Sequence, residues 1–267
     1  MAHRFINTDV VSALKQLQTE SQEINTAFFD PPYNIGFRYS NLVDDNLPEN
    51  EYHDLIGDTF EALKPILAND GSAFLVHYPE ACARLLPIIE SKGYRLQQWI
   101  SWVYPSNIGM TKKRFTTAHR ALLWFVHADC EQPKFNNKAD PMPYKNPNDP
   151  RVQKQIAKGS KGVSPYDWWE INMVKAGSAE HKGWYNQIPY DLIKRMVLST
   201  TDPNDIVLDG FAGSCSTWPV CEDYNRTAIL IDLDPNSKKH FDSFMGNPGY
   251  RCGNCGEYGH NRRTCTE

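Results

Sequence analysis

No apolar run in this 267-residue chain is long enough to cross a bilayer. The longest runs, such as Ala121–Val126, fall far short of the ~20 residues a spanning helix needs, which excludes a membrane as partner. The first residues, MAHRFINTDVV, lack the basic-then-apolar order of a secretion signal, so an intracellular location is expected, with nucleus and cytoplasm not distinguished. There is no internal repeat, which sets aside solenoids and propellers. Cys82, Cys130, Cys215 and Cys221 are scattered without a disulfide-like framework, as suits a reducing compartment. The formal net charge of −4 lacks the positive excess common in proteins that grip polyanions.

What is present qualifies that last absence. Residues 110–163 hold eleven Lys and Arg against four acids, a net of +7, which leaves −11 for the remainder. A basic segment set in an acidic protein reads as an electrostatic footprint for nucleic acid. Hydrophobic content of 40% and charged content of 22% are ordinary for a globular chain with one sizeable core and a small appendage.

Strand and helix patterns alternate along the chain. Strands are expected at 4–9, 24–29, Gly71–Tyr78, Tyr94–Tyr104, His119–His127, Asp205–Asp209 and Arg226–Asp232. Helices are expected at Val10–Gln18, Glu49–Ala68 (ended by Asn69-Asp70-Gly71), Pro79–Ser91, Ile188–Thr200, Thr217–Tyr224 and Pro235–Phe244. Such alternation predicts an α/β fold, a doubly wound and mostly parallel sheet covered on both faces. A polar connection at Arg38–Asn50 is placed to lie over a site. Residues 128–180, rich in Pro, Asn and Lys, break the pattern; with Tyr166, Trp168 and Trp169 in need of a surface, they read as an inserted recognition region. Free of any such periodicity, 245–250 read as a linker, giving a 1–244 domain, the linker and a 251–267 appendage.

The chain is organised around Phe28-Phe29-Asp30-Pro31-Pro32-Tyr33-Asn34. Residues 24–29 are too short for a helix and too apolar for a loop, and the prolines then forbid ladder hydrogen bonds. The result is a rigid ledge at the carboxyl end of a strand, with the Asp30 carboxylate and the Pro31 carbonyl as acceptors and the flat Tyr33 ring beside them. Two acceptors and a ring suit a planar base that carries an exocyclic amine. A second feature is Asp209-Gly-Phe-Ala-Gly-Ser-Cys-Ser-Thr217, a small-residue turn between a strand and a helix that would offer backbone N–H groups to an anionic ligand. Asp232, closing the next strand, is placed to accept from ribose hydroxyls.

Together these segments resemble the S-adenosylmethionine-dependent DNA amino-methyltransferases, in the arrangement with the catalytic motif before the cofactor motif. The resemblance covers about 4–244 and includes Asn7-Thr8-Asp9, ISWVYPSN at 100–107 and TAHRALLWF at 117–125. It implies a Rossmann-like methyltransferase fold with Asp30, Pro31, Pro32 and Tyr33 as the catalytic ledge, extended by Asn34. Asp209, Phe211 and Gly213 would hold the methionine end of S-adenosylmethionine, Asp232 its ribose and Asp9 its adenine side, with Ser214 and Thr217 also at the cofactor. Trp102 and its neighbours to Asn107 would border the base pocket, and Lys112, Lys113 and Arg114 would meet DNA. Cys215 and Leu230 stand where the family has glycine, and His181–Pro189 only loosely echoes the family's stretch there.

With no Pro-Cys dipeptide anywhere, no thiolate presents itself for carbon-5 cytosine methylation. In the family, Asp at position 30 leans toward adenine N6 and Ser toward cytosine N4. The expected activity is therefore methyl transfer to N6 of a flipped adenine in DNA. Cytosine N4, RNA as substrate, and a non-catalytic subunit that binds nucleic acid stay open, as does a homodimer or partner subunit. At the C-terminus, Cys252, Cys255, His260 and Cys265 have the C-x2-C-x4-H-x4-C spacing of a zinc knuckle, a closed structural Zn2+ site in a module that binds single-stranded nucleic acid. Tyr258, Arg262 and Arg263 would supply its stacking ring and phosphate contacts.

Overall fold

Strand periodicity sends neighbouring side chains to opposite faces, and here both faces find a cover. Phe28, Phe74, Val76 and Leu230 face one way and pack with Leu192, Val197, Trp218 and Phe241. Phe29, Leu75, Leu208 and Ile231 face the other and pack with Leu14, Phe60, Leu63 and Leu85. Phe28 and Phe29 are both buried, and each such ring stabilises the fold by roughly 1.5–3 kcal/mol relative to exposure. A sheet apolar on both faces needs a helical layer on each.

The computed structural model describes residues 3–37, 45–105, 112–178, 180–181 and 183–245. Its strands are β1 (Arg4–Ile6), β2 (Ile24–Phe29), β3 (Leu67–His77), β4 (Tyr94–Val103), β5 (His119–His127), β6 (Trp168–Glu170), β7 (Ile206–Asp209) and β8 (Thr227–Ile231). Its helices are α1 (Val10–Thr19), α2 (Glu49–Leu63), α3 (Pro79–Ser91), α4 (Pro150–Ala157), α5 (Tyr190–Thr200), α6 (Thr217–Asp223) and α7 (Pro235–Met245). The sheet order is β1-β8-β7-β2-β3-β5-β4-β6. Every pairing is parallel except those that β5 makes with β3 and β4. From β2 the chain winds one way through β3, and from β7 the other way to β8, so the winding reverses between β2 and β7. A crevice opens at the carboxyl ends of strands at such a reversal.

Three expectations need correction. The helix over Glu49–Ala68 ends at Leu63, followed by a 3-10 turn at Lys64–Ile66, and Asn69-Asp70-Gly71 lies inside β3 rather than capping a helix. The pairing of β2 with β3 slips between Ile24 and Thr26, so these residues form a bulge. A Cβ on Gly71 would come within 2.9 Å of the Ala68 carbonyl, so glycine is there for close backbone approach. The insertion also holds regular structure. Asp149 caps α4 by accepting from the Arg151 N–H, with Pro150 at the first helical position. Strand β6 joins the sheet edge beside β4 and buries Trp169. Finally, Trp102, expected at a base pocket, is 2% exposed and donates its indole N–H to the Ile171 carbonyl, because its position on β4 faces the helical layer.

The connection at Arg38–Asn50 is described only from Asp45 onward, and the proposed zinc ligands lie outside the described residues. Among the described residues no helix is long and apolar enough to cross a membrane, and no group of three His, Cys, Asp or Glu could hold a metal ion.

Candidate active site

Asp30 and Asp209 are far apart in sequence and meet because β2 and β7 are paired neighbours. Phe28 stands opposite Asp209, and the Gly210 N–H donates to the Phe28 carbonyl at 3.0 Å. The ledge after β2 and the turn after β7 therefore share one wall. Gly210 permits this: a Cβ there would lie 2.4 Å from the Phe29 ring. The cavity they line has a volume of about 570 Å³, within the ordinary range for small-molecule and cofactor sites. Asp30, Pro31, Pro32 and Tyr33 line it, as do Asp9, Asp209, Phe211, Gly213, Ser214, Thr217 and Asp232. The structure thus gathers every residue expected for the ledge and for the cofactor.

The ledge is anchored from behind. The Tyr78 N–H donates to His77 Nδ1 at 2.7 Å, which leaves the ring proton on Nε2. His77 Nε2 donates to the Tyr52 hydroxyl at 3.0 Å, and that hydroxyl donates to the Pro32 carbonyl at 2.8 Å. Burial, with Arg120 nearby, pushes the His77 pKa down to about 4, so the relay stays neutral near pH 7. From below, buried Asp45 accepts from the N–H groups of Asn34, Ile35 and Phe37. The Asn34 amide is committed to both backbone groups of Leu47, so it pins the ledge from a left-handed backbone at φ 53°.

At the front, Asp30 Oδ1 is buried and has no hydrogen-bond partner among the described residues. Burial, reinforced by the Asp209 charge and opposed by Tyr33 and Arg120, pushes the Asp30 pKa up to about 7. Asp209 is likewise raised to about 7 by burial, although it accepts from the Thr217 hydroxyl at 2.6 Å and from the Phe211 N–H. Asp232 accepts from the N–H groups of Gly213 and Asp234, which ties the turn after β7 to the end of β8. Two buried acids in one cavity, one with a free oxygen, suit a ligand with positive charge and N–H donors. That chemistry fits the sulfonium and ammonium groups of S-adenosylmethionine.

Cys215 and Leu230 leave the cavity clear. Cys215 takes φ 58° and is buried, its thiol directed to Gly213 and Ser237. A non-glycine residue in this region costs of order 1–2 kcal/mol, which the surrounding packing must offset. Leu230 is buried on β8 among Phe28, Trp218 and Phe241 and does not line the cavity. Asp9 caps α1 by accepting from the Ser12 N–H. Lys112, Lys113 and Arg114 are exposed.

Sequence reasoning missed the roof and the back wall. Trp184 and Tyr185 line the cavity from the segment before α5. The Trp184 ring lies where a Cβ on Gly213 would come within 3.1 Å of its Nε1, and Tyr185 meets Phe37 edge to face at 5.9 Å. Behind Tyr33 stands Arg120, its guanidinium 3.9 Å from the Tyr78 ring centre and 5.1 Å from that of Tyr33. It donates to the hydroxyls of Tyr78 and Tyr104. His77 and Arg120 lie at the same sheet edge as the ledge, the one signal that pairing of these strands would have supplied.

Residues 24–242 match the model of a family described as DNA methylase. Among curated proteins, the chain is 30% identical over 239 residues to the type II methyltransferase M.HpaI of Haemophilus parainfluenzae, covering 88% of this chain and 71% of that one. It is 27% identical over 248 residues to the DNA adenine methyltransferase YhdJ of Escherichia coli (strain K12), covering 87% of this chain and 79% of that one. Among solved structures, the complex of M1.HpyAVI with SAM superposes with a TM-score of 0.62 at 17% identity, covering 90% of this chain and 98% of that one. That last likeness establishes the fold.

Proposed function

This chain belongs to the DNA methylase family, and from that premise we propose that it transfers a methyl group from S-adenosylmethionine to N6 of an adenine taken out of the base stack. The observation that carries the reading is the buried, unpartnered Asp30 Oδ1 on a rigid ledge that shares one cavity with Asp209 and Asp232. When bound, S-adenosylmethionine supplies an electrophilic methyl group on a sulfonium. Asp209, Phe211, Gly213, Ser214 and Thr217 would hold its methionine end, Asp232 its ribose and Asp9 its adenine side.

An exocyclic amine is a poor nucleophile because its lone pair is delocalised into the ring. Asp30 Oδ1 and the Pro31 carbonyl would each accept one of its N–H groups and draw the nitrogen toward tetrahedral geometry. Tyr33 would stack on the base, which must leave the duplex at a cost of roughly a few kcal/mol. Orientation on a rigid ledge supplies much of the rate, and acceptors fixed where positive charge develops supply more. The acid need not be a strong base at the outset, since the proton becomes acidic only once the methyl has moved. Both YhdJ by its name and aspartate at position 30 favour adenine.

The finer reading of the tail belongs to the same proposal. Cys252, Cys255, His260 and Cys265 supply three thiolates and one imidazole, a donor set that fits tetrahedral Zn2+, and the metal would be the folding energy of so short a module. Tyr258, Arg262 and Arg263 would then face a nucleic-acid strand. DNA and RNA incubated in parallel with methyl-labelled cofactor, followed by nucleoside mass spectrometry, test the reading. N6-methyladenine in DNA is the expected product; N4-methylcytosine alone, or label in RNA alone, overturns the assignment. Asp30→Ala should abolish transfer and leave cofactor binding, measured by calorimetry, nearly intact.

A further inference from the structure

Strand β6 holds consecutive tryptophans, and the two-residue period of a strand forces them apart. Trp169 is 5% exposed, with Arg195 over its ring at 5.4 Å and its indole N–H given to the Tyr166 carbonyl. Trp168 is therefore turned outward, at 37% exposure, and Tyr166 lies beside it at 43%. The two outer rings are stacked, nearly parallel at 14° with centroids 5.7 Å apart, and form an aromatic shelf. The shelf is rigid, because the Ser101 N–H donates to the Asp167 carbonyl and the Ile171 N–H to that of Val103.

Lysines edge it, three of them against the two exposed acids Asp167 and Glu170 that flank the rings. Lys145 Nζ lies 5.7 Å from the Trp168 ring centre. Met142 and Val163 form an antiparallel bridge, and the Tyr144 and Ser160 hydroxyls bond at 2.8 Å. These contacts close the loop that carries Lys145, Lys158 and Lys161. All three lysines are exposed, and none makes an ion pair among the described residues. A duplex presents phosphates and base edges, with its base faces hidden in the stack. Exposed aromatic faces edged by lysines match a strand whose base faces are free.

From the Tyr166–Trp168 stack and its lysines we infer that this face binds single-stranded nucleic acid, with an unstacked base seated on the shelf. The inference rests on the reading of the chain as a nucleic-acid methyltransferase and adds to it a preference for unpaired substrate. Ledge and shelf belong to β2 and β6, four strand spacings apart in the sheet order, which at ~4.8 Å per spacing is roughly 19 Å. One strand threaded along the active edge of the sheet reaches both.

The test uses the full chain with S-adenosylhomocysteine present, and fluorescein-labelled 20-mers as single-stranded DNA, single-stranded RNA and blunt duplex DNA. Anisotropy titrations are expected to show tighter binding of a single strand than of duplex, and the deoxy and ribo arms identify which strand is preferred. Trp168→Ala should weaken single-strand binding roughly 5- to 100-fold, the worth of one stacked base, while Trp168→Phe retains most of it. Lys145→Ala combined with Lys158→Ala and Lys161→Ala should flatten the salt dependence of binding. Repeating the series in Cys255→Ser separates the shelf from the tail. Unchanged single-strand binding in Trp168→Ala overturns the inference. So does tighter duplex binding by wild type, or a change in oligomeric state on gel filtration with binding intact. A Trp168 effect without methyl transfer to any nucleic acid sinks the proposed reaction and leaves the shelf standing.

Discussion

Asp30 is the residue on which the proposed chemistry turns, and its situation has a cost. A carboxyl whose folded-state pKa lies near 7, against 3.8 when free, binds more protons folded than unfolded between those values. The stability it contributes is complete below pH 3.8 and is lost as the pH rises through 7. Asp209 behaves in the same way. Asp30→Asn removes one of these charges while keeping the shape. In thermal melts without cofactor, the variant should exceed wild type at pH 8 by on the order of 1–3 kcal/mol, several degrees in Tm, and match it near pH 4. Identical pH dependence of the two melts would show that the charge carries no such penalty. On this reading the proposed acceptor is held at the expense of fold stability, as groups at functional sites commonly are.

At the scale of elements, β5 contributes more than packing. As the strand that runs against its neighbours, it starts where they end, so Arg120 near its beginning reaches the active edge. Arg120 touches no reacting atom; it is a positioning residue that fixes Tyr33 and Tyr78 through their rings, and its charge opposes the rise in the Asp30 pKa. Arg120→Gln should lower kcat about 10-fold or more, a loss of ~1.4 kcal/mol, with little change in KM for S-adenosylmethionine. It should also move the acidic limb of the kcat profile to higher pH, and Arg120→Lys should restore the limb while only partly restoring kcat. A purely structural arginine would leave the limb in place. Two elements of the insertion, α4 and β6, went unread in the sequence; in β6 three residues carry no periodicity, and only pairing with β4 makes them a strand.

For the whole molecule, charge divides the labour. The acidic remainder of the chain carries −11 and the 110–163 segment +7, so attraction to a polyanion is concentrated in that segment. The tail is expected to add an independent contact. Chelation with a strong zinc ligand should release about one Zn2+ per chain by atomic absorption, weaken nucleic-acid binding and leave the melting of the 1–244 domain unchanged. A chain with no bound zinc as purified would remove the knuckle from the account.

The sequence by itself determined the ledge and the turn, because prolines and small residues constrain the backbone locally, wherever Asp30-Pro31-Pro32-Tyr33 and Asp209–Thr217 are placed. It determined most strands and helices too, since apolar alternation and caps act over a few residues: His119–His127 appears with the expected bounds. Only the tertiary structure decided what closes the site. Tyr52, His77, Arg120 and the Trp184-Tyr185 pair come from four separate segments and meet only after the sheet has ordered its strands. Tertiary structure also sent Trp102 into the core and Trp168 outward, although both are tryptophans on strands of the same sheet. The face a strand residue takes depends on pairing register, and register is set by partners distant in sequence.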